Sequence, residues 1–166
     1  MKSILTLAAF TAFLTLGFTS RADTVKLPKS EPIVSLTFPD KWKVTPAADN
    51  FEAESADEEV YLYGEIIDTD SVEAALKESI AYLEKEKVMV KKGTEKESKD
   101  TVNDIPVVDI SFDGKDKDGP CKISLTFFIV SKGKCLSFIY WASEEGEKTH
   151  LKDLKAIYTS IKRTTK

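Results

Sequence analysis

The residue types that most often carry catalysis are scarce in this chain. It contains one histidine, His150, and two cysteines, Cys121 and Cys135. The minimal nucleophile and general base would be Cys135 or a serine together with His150. The sequence contains no nucleophile-elbow motif, and His150 is predicted to lie beside the apolar stripe of the last helix. We therefore interpret His150 as a structural residue and predict no catalytic residue and no enzyme activity.

Patterns of metal ligands are equally weak. One histidine and two distant cysteines do not form a zinc ligand set. The segment 113–119 (DGKDKDG) is similar to a calcium-binding loop. However, lysines fall on ligand positions if its first aspartate begins the loop, and Pro120 falls on the fifth position if Asp116 does. We predict a solvated turn at this place, and no cofactor.

The tract 49–73 carries a strong negative charge. No lysine or arginine occurs between Lys43 and Lys77, whereas ten acidic residues do. Such a field attracts divalent cations or a basic partner. The alternative is a solvated surface in which Asp70 and Glu73 only cap a helix, and the sequence favours it. If a weak structural cation site exists, its predicted ligands are Asp49, Glu52, Glu54, Asp57, Glu58 and Glu59.

Four aromatic residues have two possible roles. They could line a groove for a partner, because aromatic side chains are enriched in interfaces. The sequence favours the other role, in which the two tryptophans fill the core and the two tyrosines lie at its rim. The four residues are Trp42, Tyr61, Tyr63 and Trp141.

The first 22 residues have the features of an export signal. Lys2 supplies a positive charge, residues 4–18 are mostly apolar, and Ser20-Arg21-Ala22 provides small residues for cleavage. The apolar run is too short to cross a bilayer. We predict cleavage after Ala22, release of residues 23–166 as a single soluble domain, and a periplasmic or secreted location.

Removal of this leader makes the chain more acidic. Because Lys2 and Arg21 are lost with it, the formal net charge changes from −4 to −6. A duplex nucleic-acid binder requires a basic surface, so nucleic acid is not a predicted partner.

Export would permit a disulfide, but the predicted strand geometry argues against one. Residues 121–130 and 135–141 read as a hairpin with Lys132-Gly133 as its two-residue turn. In that register Val130 pairs with Cys135, and Cys121 lies roughly 30 Å further along the strand. We predict two free thiols, with Cys135 on the face opposite Ile123, Leu125 and Phe127.

Periodicity predicts a mixture of strands and helices. A helix over residues 71–87 is expected to begin at an Asp70 cap, and a second helix is expected to begin at Ser143. Residues 23–31 are predicted to be extended and mobile. Strands are predicted over 33–38, 42–44 (returning beside the first), 51–54, 60–67, 88–97 and 105–112, before the hairpin 121–141.

This order predicts an α+β domain built on an antiparallel sheet. The hairpin is apolar on both faces, with Phe128, Val130, Ile139 and Trp141 expected opposite Ile123 and Phe127. We therefore expect helices to cover both faces, as in an α/β/α sandwich.

Two segments carry a resemblance to a known family. Ile33–Val44 (IVSLTFPDKWKV) resembles the opening strand, turn and strand of the PsbP-like superfamily, and the stretch from Leu136 to Lys162 is similar to its closing strand and helix. The resemblance spans nearly all of residues 23–166. It implies an α/β/α sandwich and a binding role, and it transfers no catalytic residue. Lys41 stands where such members often have glycine, which implies a different turn type.

The sequence thus leaves two functional hypotheses. The first is an exported, non-catalytic binding or accessory module that recognises a protein or small ligand through a sheet edge or the acidic face. Its expected partner is another exported or envelope protein. The second is a weak divalent-cation-binding structural protein that uses the tract 49–73. The oligomeric state is left open.

Overall fold

The computed structural model describes residues 22–69 and 71–164. The predicted signal peptide, residues 1–22, lies outside this part except for Ala22. Within the described residues, no helix is long and apolar enough to span a membrane. In chain order the elements are β1 Asp23–Leu27, β2 Val34–Phe38, β3 Lys43–Pro46, β4 Asn50–Glu54, β5 Val60–Ile67, α1 Val72–Lys85, β6 Met89–Val90, β7 Lys96–Val102, β8 Ile105–Lys115, β9 Pro120–Ser131, β10 Lys134–Ala142, α2 Glu144–Ser160 and β11 Lys162–Arg163.

The strands form a large and a small antiparallel sheet. The large sheet has the order β3-β4-β5-β10-β9-β8-β6, and β7 also pairs with β8. The small sheet has the order β1-β2-β11. The α+β class with an antiparallel sheet is therefore confirmed.

Two hydrophobic clusters surround the large sheet. The α1-side core joins Ala75 and Leu83 of α1 to alternate residues of β9, such as Leu125 and Phe127. The α2-side core joins helix α2 to the other residues of β9 and to the small sheet. Its main members are Leu36, Phe38, Phe51, Phe128, Val130, Leu136, Phe138, Leu154, Ile157 and Ile161.

The hairpin register differs from the predicted one. Lys134 pairs with Ser131 as expected, but Cys135 pairs with Ile129 rather than Val130, because a β-bulge leaves Val130 without an opposite residue. Arg163 stabilises the bulge by donating from Nε to the Val130 carbonyl oxygen over 2.6 Å.

Relative to the predicted register, the bulge reverses the faces of the β10 residues from Cys135 onward. The prediction that Cys135 faces away from Ile123, Leu125 and Phe127 is therefore wrong, since it lies with them in the α1-side core. Ile139 and Trp141 lie on this side too, so they do not oppose Ile123 and Phe127 as expected. Both cysteines are free and buried.

Several strand boundaries also differ. Residues 23–27 form β1, with Val25 and Leu27 buried, because their alternation matches the edge of β2. The expected return strand after Trp42 is β3, which pairs with β4 rather than with β2. The expected strand 88–97 is divided at Gly93, whose φ of 80° breaks the extended run. The turn predicted over residues 113–119 is shorter and comprises residues 116–119, because β8 extends to Lys115.

The predicted helix starts are partly correct. Ser143 caps α2, and its hydroxyl accepts a hydrogen bond from the Gly146 amide. The cap of α1 is Ser71, which accepts from the Ala74 amide; Asp70 lies outside the described residues.

Lys41 has a φ of 75°, the left-handed conformation that glycine favours. The turn thus keeps the backbone that a glycine would supply.

Candidate functional site

The acidic tract contributes to one side of a concave pocket. We call it the acidic–aromatic pocket, and its volume is about 370 Å³. Six carboxylates, one lysine and two aromatic rings form its lining. The lining residues are Glu54, Glu58, Glu59, Tyr61, Glu86, Val88, Asp116, Lys117, Asp118 and Trp141.

Four separate segments bring these residues together. The end of β4 and the turn that follows it supply Glu54, Glu58 and Glu59. The turn between β8 and β9, which the sequence analysis compared with a calcium loop, supplies two aspartates and a lysine. Glu86 comes from the cap of α1. Residues as far apart in sequence as Glu54 and Asp118 therefore line one cavity.

An aromatic wall closes the other side of the pocket. Tyr61 and Trp141 are paired across β5 and β10, and their ring centroids lie 4.2 Å apart. Behind them, Tyr63 stacks on Tyr82 at 4.0 Å. The hydroxyl groups of Tyr61 and Tyr82 are 3.2 Å apart. Burial, together with the charges of nearby glutamates, raises the pKa of Tyr61 to about 12, so this wall is uncharged at neutral pH.

Internal contacts neutralise only part of the pocket's charge. Glu58 accepts from the Lys43 ammonium at 2.7 Å, and the Lys117 ammonium lies 3.7 Å from the Asp118 carboxylate. Both ion pairs are exposed and contribute little stability. Glu59 accepts a hydrogen bond from the hydroxyl of Ser143. The pocket therefore retains a negative potential, which favours a cationic ligand.

The six residues of the predicted cation site do not converge. They spread along β4 and the turns at its two ends: Asp49 precedes the strand, Glu52 and Glu54 lie on it, and the other three follow it. Among the described residues, no group of three or more histidine, cysteine, aspartate or glutamate side chains is placed to hold a metal ion. The divalent-cation hypothesis therefore has no structural support.

His150 fastens helix α2 to the turn after β4. Its Nε2 lies 2.9 Å from both carboxylate oxygens of Asp57, and its ring packs edge-on against Trp42 at 6.1 Å. The nearby Ser55 is buried and donates its hydroxyl to Asp57, not to His150. A nucleophilic serine would have to donate to the histidine, so this arrangement is not that of a serine hydrolase.

The Asp57 contacts predict an acid-sensitive contribution to stability. The Ser55 hydroxyl, followed by His150, lowers the pKa of Asp57 from 3.8 to about 2. Because the folded pKa lies below the unfolded one, the stabilisation is complete above pH 3.8 and is lost as the pH falls towards 2. We expect Asp57→Asn to lower the urea midpoint near neutral pH and to match the wild type near pH 2. A midpoint difference that does not change with pH would contradict this, and the exposed Asp40→Asn serves as control.

The two thiols are unsuited to nucleophilic or redox chemistry. Burial raises the pKa of Cys121 to about 11 and that of Cys135 to about 12, so both remain protonated near neutral pH. Cys135 lies opposite Ile129, which is eight residues along β9 from Cys121. No disulfide can bridge that distance.

A second concave feature, which we call the α2 groove, was not predicted from the sequence. It lies between α2 and strands β8 to β10 and consists of two cavities of about 210 and 310 Å³ that share Tyr140. The signal for it was visible in the sequence as the polar residues Lys122, Ser124 and Thr126, which alternate with the apolar ones of β9. On the face of β9 that lies towards α2, the first half of the strand is therefore polar, whereas Phe128 and Val130 make the second half apolar.

Comparisons with known proteins identify the architecture. No protein-family model and no curated protein matches the sequence. Among solved structures, cyanobacterial PsbP (CyanoP) from Synechocystis sp. PCC 6803 matches 87% of this chain and 94% of its own, with a TM-score of 0.57 and 9% identity. The fold is therefore PsbP-like, as the resemblance implied.

Two further structures have the same architecture. LpqN of Mycobacterium tuberculosis, a protein involved in cell envelope biogenesis, matches 87% of this chain and 92% of its own, with a TM-score of 0.57 and 10% identity. A protein from Bacteroides thetaiotaomicron VPI-5482 matches 86% of this chain with a TM-score of 0.58 and 7% identity. This chain spans 48% of that protein's length.

Proposed function

We propose that this protein is an exported, non-catalytic accessory module that binds a basic segment of another exported or envelope protein. The binding site is the acidic–aromatic pocket. One observation carries the proposal: carboxylates from separate chain segments and the paired rings of Tyr61 and Trp141 line the same cavity. Its volume of about 370 Å³ is in the range typical of ligand pockets.

The chemistry of the pocket suits a lysine or arginine side chain. An aromatic face attracts a cation through its quadrupole, and the attraction grows when the cation is partly desolvated. The surrounding carboxylates accept charge-assisted hydrogen bonds from the same group. An anionic or purely apolar ligand would leave these carboxylates desolvated without a partner, which is unfavourable.

The non-catalytic part of the proposal is supported by the geometry of the reactive residues. His150 is engaged by Asp57, and both thiols are buried and protonated. The relatives in fold include a cyanobacterial PsbP, CyanoP, and LpqN, a protein involved in cell envelope biogenesis. The proposal includes cleavage of the signal peptide, after which residues 23–166 act as one domain.

The layered architecture is part of the same proposal. Buried residues of α1 and of α2 belong to different hydrophobic clusters, and β9 contributes alternate side chains to each. This supports an α/β/α arrangement in which each helix covers one face of the large sheet. The acidic–aromatic pocket then lies at the end of the α1-covered face.

A peptide-binding experiment tests the proposal. Fluorescein-labelled tetra-arginine should bind the wild-type protein in a fluorescence anisotropy titration, and tetra-glutamate should not. The triple variant Glu54→Gln/Glu86→Gln/Asp118→Asn should weaken binding about tenfold, since each charge contributes up to about 1 kcal/mol. Trp141→Leu should weaken it about fivefold through loss of the cation–π contact.

A matched variant separates the pocket from net charge. Glu78→Gln/Glu84→Gln/Glu95→Gln removes three exposed carboxylates that do not line the pocket. It should bind tetra-arginine nearly as tightly as the wild type does. Equal weakening by both triple variants, or no binding of tetra-arginine at about 1 mM, would show that the pocket is not the binding site.

A further inference from the structure

The α2 groove contains the carboxylate of Asp109, which hydroxyl groups of the adjacent strand β9 hold in place. Asp109 lies on β8, and its Oδ1 accepts hydrogen bonds from the hydroxyl of Thr126 at 2.7 Å and from that of Ser124. Ser124 and Thr126 retain only 5% and 3% of their exposure. Two buried hydroxyl groups therefore fix one oxygen of a partly exposed carboxylate.

Packing alone does not explain the two hydroxyl residues beneath Asp109. Burying a hydroxyl group is unfavourable unless it is hydrogen-bonded, and alternating apolar residues would fill the same space at no such cost. The neighbouring half of the same strand does so with Phe128 and Val130. At the polar half, the chain instead orients Asp109 towards the cavity of about 210 Å³.

The second oxygen of Asp109 is available to a ligand. The hydroxyls of Ser124 and Thr126 both donate to Oδ1, and among the described residues no ion pair engages Asp109. Lys155 lines the rim of the same cavity but is exposed and lies beyond ion-pair distance. Burial, with a smaller contribution from the negative charge of Asp109, raises the pKa of Tyr140 and of Tyr158, whose hydroxyls remain neutral.

The walls above Asp109 are apolar. Phe138 and Leu154 form the buried part of the wall, and Tyr158 continues it. Leu151 is 47% exposed and is one of two large apolar side chains with such exposure in the described part of the chain. A ligand with an apolar body would cover this surface and gain hydrophobic free energy.

We propose that the α2 groove binds a small molecule with an ammonium group and an apolar body. The ammonium group donates to Oδ2 of Asp109, and the apolar body packs against Leu151, Leu154 and Tyr158. Charge complementarity selects the cationic head, because a carboxylate in a partly desolvated cavity binds a donor cation more strongly than in water. This site is separate from the acidic–aromatic pocket and shares no lining residue with it.

Two probes that share a phenylethyl body and carry head groups of opposite charge test the proposal. 2-Phenylethylamine should shift the amide signals of residues 109, 124, 151 and 155 in a titration followed by ¹H–¹⁵N NMR. 3-Phenylpropionate should not bind in the groove. Asp109→Asn should weaken the amine about tenfold or more, because a hydrogen bond to a charged group contributes about 1.5–3 kcal/mol. Asp49→Asn, at an exposed position that lines neither cavity, is the matched control.

A second variant covers the case in which Asp109→Asn does not fold. Leu151→Ala changes an exposed residue, so it should fold normally and still weaken 2-phenylethylamine about threefold through lost apolar contact. Equal binding of both probes, preferential binding of 3-phenylpropionate, or an affinity unchanged in both variants would overturn the proposal. The triple variant of the acidic–aromatic pocket should bind 2-phenylethylamine normally, so failure of one site does not imply failure of the other.

Discussion

Phe128→Ala is expected to lower the free energy of unfolding by about 3–5 kcal/mol, the range observed when a buried phenylalanine is truncated. Phe128 lies on the central strand β9 and has no exposed surface. Its ring contacts Tyr158 of α2, with centroids 5.3 Å apart, and Phe138 of β10, with centroids 6.3 Å apart. Truncation would therefore leave a cavity between the sheet and α2.

The neighbouring residue provides a control for this truncation. Ile129 lies next along β9, points to the α1 side and is only partly buried. Ile129→Ala should destabilise the protein less than Phe128→Ala in urea unfolding measured by circular dichroism. If the two losses are equal, Phe128 does not hold α2 on the sheet in the way that its contacts indicate.

Gly64→Ala is expected to destabilise the protein by about 1–3 kcal/mol, because it would overpack a full core. A Cβ atom at this position would lie 2.2 Å from Cε1 of Phe51 on the adjacent strand. The Phe51 ring is fully buried and is held edge-on against Phe38 at 5.3 Å. It therefore has little room to move away from the added methyl group.

A double-mutant cycle tests the cause of this effect. Phe51→Leu should lower stability in the wild type but should do so by a smaller amount in the Gly64→Ala background, because the smaller side chain relieves the clash. Urea midpoints of the four proteins give the coupling. Strictly additive losses would mean that the alanine acts on the backbone and not through Phe51.

Local patterns were sufficient to predict much of the fold. Strand β5 was predicted with its observed bounds, since aromatic and β-branched residues fill Val60–Ile67. The cap at Ser143 and the helix after it were also predicted correctly. These elements have strong periodicity of their own. By contrast, β1 has only Val25 and Leu27 as apolar residues, and it exists because β2 offers a free edge.

The candidate sites were harder to predict because both depend on strand register. The sequence drew attention to the acidic tract, the aspartate-rich turn and Trp141 separately. That they share a pocket follows from the pairing of β5 with β10 and of β8 with β9, which no local signal specifies. The α2 groove could not be predicted because Ser124 and Thr126 form an ordinary alternating pattern. Only the pairing of β8 with β9 places Asp109 opposite Thr126 and within hydrogen-bonding distance of both hydroxyls.

The β-bulge at Val130 has a consequence for both sites. With it, Trp141 faces the acidic–aromatic pocket and Tyr140 faces the α2 groove. Without the extra residue, β10 would be out of phase by one position relative to β9, and these two aromatic side chains would exchange sides. The bulge, at which the Val130 carbonyl accepts a hydrogen bond from Arg163, thus determines which aromatic side chain lines each cavity. Substitutions in this hairpin turn, which lines neither cavity, are therefore expected to disrupt both candidate sites.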